Sequence, residues 1–585
     1  MTDSKETALT NSAAVKADES KAKELTSQLW AMANSLRGKM DASEFRDYIL
    51  GFIFYRYLSA KQERFLKDSG LLIINDGETV NDAFARDVQE EGIDEWHQAL
   101  SEELGYAIDP DDTWATLVRK VKDKQVRPED FGNIFDHFKQ NAQLNANASR
   151  DFRDVFDDIN LMNSSLGNST AARTKALADL VERIDEVNFL DESGHDILGN
   201  VYEYLIAQFA GNSGKKAGEF YTPHEVSRVL AKLVTFTPDD SSDEEKDAVH
   251  SPGEDFEVYD PACGSGSLLL TVRQELENAN GGTMPADKHV HFYGQELNRT
   301  TYNLARMNLM MHDVDYQWMD LRNADTLEQD WPDGSDANGI DHPHSFDAVV
   351  ANPPYSQHWD NAEAKLKDPR FRPFGKLAPK SKADYAFVEH CIYHLKPTGR
   401  MAIVLPHGVL FRGAAEGTIR KAIIEKNYLD AVIGMPSNLF YSTSIPTVVL
   451  VFRKDRTIND ILFIDASQDF EKGKNQNHLR DEDIQKIIDT YAARKDVDKY
   501  AHVATLDEIK ENDYNLNIPR YVDTFEEEEP IDLDEVNREL ESNAKEMERL
   551  QKELQAMIDQ LVPTSVMNDD GTKQADKEAA SEAQE

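Results

Sequence analysis

The sequence predicts an α/β fold built on one doubly wound sheet, with an all-α domain before it and a long amphipathic helix after it. Three observations carry this reading. From Phe256 to Phe452, short apolar runs alternate with helical patterns, the texture of a sheet covered on both faces. Residues 25–185 show helical periodicity with few strand signals. Near the end, Val536, Leu540, Asn543, Met547, Leu550, Leu554, Met557 and Leu561 step alternately by four and three, a coiled-coil seam with one polar position.

Composition bounds the rest. A chain of 585 residues has room for roughly three to five domains, and 40% hydrophobic residues suffice for packed cores. Two cysteines, Cys263 and Cys391, exclude a disulfide scaffold and a cysteine-based zinc cluster. They fit a reduced, cytoplasmic setting, and no metal site is expected. Neither a signal peptide nor a membrane helix is expected, because the start lacks an apolar stretch and no run of 18 apolar residues occurs. The net charge of −44 opposes nucleic-acid binding unless a local basic surface or a basic partner supplies phosphate contacts.

Residues 1–24 read as a polar, disordered tail. Leu25, Leu29, Met32, Ala33 and Leu36 then share a helical face. Asp41 with Glu44 resembles a capping box that opens a second helix, whose face is Phe45, Tyr48, Ile49, Phe52 and Ile53. Helical patterns run on to about Gly211, where Gly211–Lys216 reads as a loop. Its Gly214-Lys215 pair is no phosphate-binding loop: Phe209 stands where the first glycine belongs and Lys216 replaces the Ser/Thr. The acidic stretch 238–255 reads as a solvated insert. Its carboxylates sit on no apolar strand, so they do not make a nuclease motif. Sheet strands are expected at Phe256–Tyr259, Val290–Tyr293, Ala348–Ala351, Met401–Leu405, Ala431–Ile433 and Val448–Phe452. The expected organisation is a tail over 1–24, a helical domain over 25–185, the sheet domain over 186–525, the seam helix over 526–562 and a tail over 563–585.

The chemistry concentrates at the ends of the strands. In Val258-Tyr259-Asp260-Pro261-Ala262-Cys263-Gly264-Ser265-Gly266-Ser267, a strand gives way to a glycine turn and a helix, so the backbone can approach a ligand closely. Leu269 stands where a dinucleotide site would carry its third glycine, which disfavours NAD. The next strand ends at Gln295-Glu296, and a carboxylate there can accept both ribose hydroxyls of a nucleoside. Asp325, after a third possible strand, can take an adenine amine. The strand Phe346–Ala351 then ends in Asn352-Pro353-Pro354-Tyr355. Two prolines make a stiff, extended spur lacking two N–H groups. The Asn352 side chain and the Pro353 carbonyl can together accept both hydrogens of an exocyclic amine, and Tyr355 can stack on the attached ring.

These elements, in this order, resemble the amino-methylating DNA methyltransferases that use S-adenosylmethionine (AdoMet), and more closely the modification subunit of type I restriction–modification systems. The blocks that carry the resemblance are Leu36–Asp41, Gly218–Pro223, the Asp260–Gly266 turn, Gln295-Glu296 and Asn352–Tyr355. It implies a Rossmann-like AdoMet-dependent catalytic domain with Glu219, Phe220, Tyr221, Thr222, Pro223 and His224 lining the cofactor pocket. It also implies that Asp260 holds the methionine ammonium, that Ser265, Gly266 and Ser267 approach the cofactor, and that Glu296 takes the ribose. The implied substrate is an adenine flipped out of duplex DNA, methylated at N6 by in-line transfer. An aromatic before the strand at Val448 grips the base in such enzymes, and Phe440 has that position.

Residues 365–382 carry seven basic side chains, Lys365, Lys367, Arg370, Arg372, Lys376, Lys380 and Lys382, against one acid, Asp368. They read as a phosphate-facing loop. No base-reading module is evident, so the resemblance implies a separate specificity subunit, with two modification subunits to each, and a restriction subunit. The seam helix is the natural docking element. The rival readings are a free-standing adenine methyltransferase, which would need its own recognition domain, and an idle AdoMet-binding scaffold, against which the intact tetrapeptide argues. Cytosine N4 methylation uses the same amine geometry with Ser usually in place of Asn, so adenine is favoured.

Overall fold

The computed structural model describes residues 42–189, 198–212, 221–236, 255–280, 282, 284, 288–331, 344–441, 443–524 and 533–560. Both expected tails, the first helical face, the Leu36–Asp41 block, Glu219, Phe220 and nearly all of the acidic insert lie outside these residues.

Helix α1 (Ala42–Asp68) is the hub of the helical region. The sequence predicts one apolar face, but Leu50, Phe54, Tyr55, Tyr57 and Leu58 are buried as well as the expected set. The helix is enclosed because others pack around it: α2 (Val80–Glu91), α3 (Asp94–Leu104), α4 (Trp114–Lys122), α5 (Pro128–Asn141), α6 (Thr170–Glu186) and α7 (Leu198–Asn212). Helix α7 includes Gly211 and Asn212, which composition assigns to a loop. An aromatic cluster of Phe52, Tyr55, Phe135, Phe138 and Phe156 fills the centre, with the Phe135 and Phe156 rings 4.8 Å apart.

After α8 (His224–Val234) the sheet begins. Its strands are β1 (Phe256–Asp260), β2 (Val290–Glu296), β3 (Met319–Asn323), β4 (Phe346–Ala351), β5 (Leu395–Pro406), β6 (Leu429–Gly434), β7 (Thr447–Arg453), β8 (Asp460–Asp465) and β9 (Ala501–Thr505). The interleaved helices are α9 (Ser267–Ala279), α10 (Arg299–Met311), α11 (Asp384–Tyr393), α12 (Ala414–Glu425) and α13 (Asp481–Ala493). The order across the sheet is β9-β8-β6-β7-β5-β4-β1-β2-β3. Strands β1 to β5 pair in parallel, whereas β7 runs antiparallel between β5 and β6, and β9 is antiparallel on β8. All six residues of β6 are buried, as a strand covered on both faces requires.

The helical region is fastened to the sheet through α10. Residues Thr301–Met311 are all buried, and the Tyr57 hydroxyl of α1 donates to the Met310 carbonyl at 2.7 Å. Buried Arg306 donates to the carbonyls of Arg150 and Asp151 at 2.8 and 3.1 Å. Residues 524–585 form a second unit. Its helix α14 (Leu533–Gln560) exposes every described side chain, including Leu540, Met547, Leu550 and Leu554 of the seam. Among the described residues no helix is long and apolar enough to cross a membrane.

Candidate active site

Strand β1 lies between β2 and β4, so the chain turns one way after β1 and the other way at β4. The carboxyl edge of such a switch point is where open α/β sheets leave a crevice. A cleft of about 820 Å³ opens there. The turn after β1 forms one wall and the segment after β4 another, while Arg46 and Ile206 of the helical region close a third side.

The two glycines of the turn serve different ends. Both have left-handed backbones, with φ of +54° at Gly264 and +77° at Gly266. A Cβ on Gly264 would meet nothing within 4 Å, which leaves that face of the turn open to the cleft. A Cβ on Gly266 would collide with Leu309 Cδ1, so this glycine lets the turn pack on α10. The Gly264 N–H donates to Glu296 Oε2 at 3.1 Å and the Asn298 N–H to Oε1 at 2.8 Å, which fixes the carboxylate at the cleft wall. Glu296 lines the cleft at this point. Asp325 also lines the cleft, its carboxylate turned by the Leu327 N–H at 3.0 Å.

Asp260 ends β1 just behind this wall and is 2% exposed. Burial, with a smaller contribution from the negative charge of Glu296, pushes its carboxyl up to about 8. Its Oδ1 accepts from the Ala262 N–H at 2.9 Å.

On the opposite wall, Asn352 is buried and its amide is fixed from both sides. Its Nδ2 donates to Thr222 Oγ1 at 2.9 Å, and the Tyr355 hydroxyl donates to its Oδ1 at 2.8 Å. Burial, then the charge of Asp384, raises the Tyr355 phenol well above its usual range, which keeps it a proton donor. Phe440 meets Tyr355 edge-on at 6.1 Å.

An open glycine turn, the Glu296 carboxylate and the Asn352 amide therefore share one cleft. The N-6 DNA methylase family matches residues 193–530, and the HsdM N-terminal domain family matches 25–184. The methylase subunit of the type I restriction enzyme MpnII from Mycoplasma pneumoniae is 36% identical over 552 residues, 92% of this chain and 95% of the relative.

The chain belongs to the N-6 DNA methylase family.

Within that family it is a methylase subunit of the type I restriction–modification kind. The crystal structure of a type I methyltransferase subunit from Streptococcus thermophilus is 43% identical and superposes with a TM-score of 0.75, covering 86% of this chain and all of that one. A chain from a type I assembly, 20% identical with a TM-score of 0.58, shares the fold.

Several features of this methylase subunit differ from the sequence expectations. Arg370, expected to face phosphate, is 3% exposed and points inward. It forks onto Asp368 at 2.7–3.1 Å, donates to the Thr326 carbonyl at 2.8 Å and reaches His390 Nδ1 at 3.2 Å. Lys365 pairs with Glu328 at 2.6 Å beneath the Trp359 ring. Lys367, Arg372, Lys376 and Lys380 are exposed and Lys382 is half-buried. Aromatic side chains, which counting charge ignores, set this arrangement: Trp359 and Phe371 are buried against each other and anchor the loop. Phe440 is 3% exposed and does not line the cleft, so it supports Tyr355 from behind instead of presenting a face to a base. His224 is an exposed first residue of α8, outside the cleft lining. Tyr221 lines the cleft, and Thr222 reaches it through Asn352. Pro223 is buried at the start of α8, and Ser267 is held under the turn by Ser265 at 3.2 Å.

Sequence reasoning missed Arg46, Leu297, Leu327 and Phe387, all of which line the cleft. Of these, Arg46 sits beside Asp47 on the first described helix and contributes a cation from 200 residues before the glycine turn. No local motif marks it.

Proposed function

We propose that this chain is the catalytic modification subunit that transfers a methyl group from AdoMet to N6 of adenine in duplex DNA. In this reading it acts in the cytoplasm with a specificity subunit that selects the site and a restriction subunit. Two modification subunits would serve each specificity subunit. The observation that carries the reading is the placement of Asn352 Oδ1 across one cleft from the Gly264 turn and the Glu296 carboxylate.

The donor set fits AdoMet. Asp260, buried just behind the cleft wall, would offer its carboxylate to an ammonium, while Glu296 offers acceptors for ribose hydroxyls, and Leu297, Leu327 and Phe387 offer apolar surface for a purine. When bound, AdoMet supplies a methyl group made electrophilic by its sulfonium centre. Asn352 Oδ1 and the Pro353 carbonyl accept the two hydrogens of the adenine amine. That contact opposes delocalisation of the nitrogen lone pair into the ring and leaves it directed at the methyl group. Trp359 and the loop packed on it close the cleft behind the base and exclude water. Tyr355 gives the base an aromatic face. The exposed lysines and Arg372 beyond the cleft offer phosphate contacts that would hold the flipped strand.

The test is methyl transfer by the chain combined with its specificity partner, with the modified nucleoside identified after digestion. N6-methyladenine at a defined sequence is the expected product. Methylcytosine, or no transfer by a complex that binds AdoMet, would overturn the assignment.

A further inference from the structure

The residue after the catalytic tetrapeptide has an unusual backbone. Ser356 is not glycine, yet its φ is +53°. In the left-handed region the Cβ of an L-residue crowds the following carbonyl oxygen, so something must hold the turn. The Ser356 N–H donates to Asp384 Oδ1 at 2.7 Å. One residue on, the Gln357 carbonyl accepts from the Ala383 N–H at 2.9 Å. Both bonds pin the outgoing turn to the start of α11.

Asp384 is itself held. Its side chain is fully buried, and its second oxygen takes the Arg412 guanidinium. Arg412 grips Glu416 on the next helix at 2.7 and 2.9 Å. Gly408 makes room for this: a Cβ there would come within 3.0 Å of Arg412 Nη1. A line of charge-assisted bonds therefore runs Ser356–Asp384–Arg412–Glu416. It ties the segment that follows β4 to the segment that follows β5. Asp384 does not itself line the cleft; it meets the lining at Ser356.

We infer that Asp384 is a positioning residue for methyl transfer: by fixing the left-handed turn at Ser356 it aims Tyr355 and, through the Tyr355 hydroxyl, the Asn352 acceptor. This rests on the proposed function of the cleft. A displacement near 1 Å at reacting groups costs about 100-fold in rate, and loss of the latch frees a turn only one residue from Tyr355.

The experiment compares Asp384→Ala, Asp384→Asn and the double variant Asp384→Ala with Ser356→Gly, each as the full chain assembled with its specificity partner. Asp384→Ala is expected to lower kcat by about 10- to 100-fold while KM for DNA and the dissociation constant for AdoMet stay within error. Asp384→Asn keeps an acceptor for the Ser356 N–H and retains most of kcat. Glycine takes the left-handed turn without strain, so Ser356→Gly restores part of the activity lost in Asp384→Ala. Hydrogen exchange of the peptide spanning 353–360 reads the latch without turnover, and it accelerates in Asp384→Ala. An unchanged kcat in a folded Asp384→Ala variant overturns the inference. So does a loss that tracks AdoMet affinity, or a folded double variant with no recovery. Faster exchange in Asp384→Ala alongside an inactive wild-type complex separates failure of the proposed reaction from failure of the latch.

Discussion

At the residue scale, the proposed reaction assigns Asn352 to the methyl acceptor and Asp260 to the methyl donor. Asn352→Ala is expected to lower methyl transfer by at least about 100-fold, because the lost contacts belong to the amine in its reacting geometry. AdoMet calorimetry with the same variant should change little, since Asn352 bonds to Thr222 and Tyr355 and not to the turn. Asp260 gives a pH prediction. Its carboxyl, at about 8 in the folded chain, holds a proton at neutral pH and must release it to meet an ammonium. AdoMet affinity should therefore rise roughly 20-fold from pH 6 to pH 7.5, peak near pH 8 and fall above it, where the ligand's own α-amino group loses its proton. Calorimetry in buffers of different ionisation enthalpy should show proton release at pH 7. For stability the sign is opposite to that of a paired acid. A carboxyl raised above its unfolded value makes the ligand-free chain less stable as pH climbs from about 4 to 8. AdoMet should accordingly raise the melting temperature more at pH 7.5 than at pH 6.

At the element scale, the strands were legible where apolar runs were short and bounded, and the expected runs fall within β1, β2, β4, β5, β6 and β7. The sequence reading stopped at Phe452 and so missed β8 and β9. Ile461-Leu462-Phe463-Ile464 is as apolar as any earlier run and carried enough signal. The direction of β7 was not legible, because a strand buried on both faces reads the same either way. The tetrapeptide and the glycine turn announce themselves because backbone geometry demands proline and glycine at set positions. Arg46, Phe387 and the inward turn of Arg370 depend on distant packing and leave no local mark. For α14, charges at Leu550 and Leu554 should abolish capture of the specificity subunit in a pull-down. Two ions in an apolar seam carry a desolvation cost of several kcal/mol, and a helix of this length is marginal in water without a partner. AdoMet titration of the double Leu→Glu variant should match wild type, since the cleft lies in the other unit.

At the scale of the whole molecule, a net charge of −44 opposes DNA binding except where a local basic surface meets phosphate. In the 365–382 loop, Arg370 and Lys365 are matched internally, which leaves Lys367, Arg372, Lys376, Lys380 and Lys382. The purified chain alone should bind AdoMet yet methylate DNA poorly, and addition of the specificity subunit should restore transfer. Efficient sequence-specific methylation by the chain alone would contradict the multisubunit reading. In the complex, replacing Arg372, Lys376 and Lys380 by Ala should reduce the slope of log affinity against log salt by up to about 2.7, if all three reach phosphate. Binding should weaken evenly across DNA sequences, without change in the site chosen.

The hydrogen bond from Tyr355 to Asn352 Oδ1 occupies one of that oxygen's two lone pairs before any ligand arrives. In the proposed reaction an incoming base would meet a phenol already in place. Adenine and cytosine bring a hydrogen-bearing amine to this oxygen and can share or replace the contact. Guanine and thymine bring a carbonyl to the corresponding edge, which would set acceptor against acceptor. On the proposed reading, the resting pocket would sort bases by the polarity of one bond before any other protein has selected a sequence.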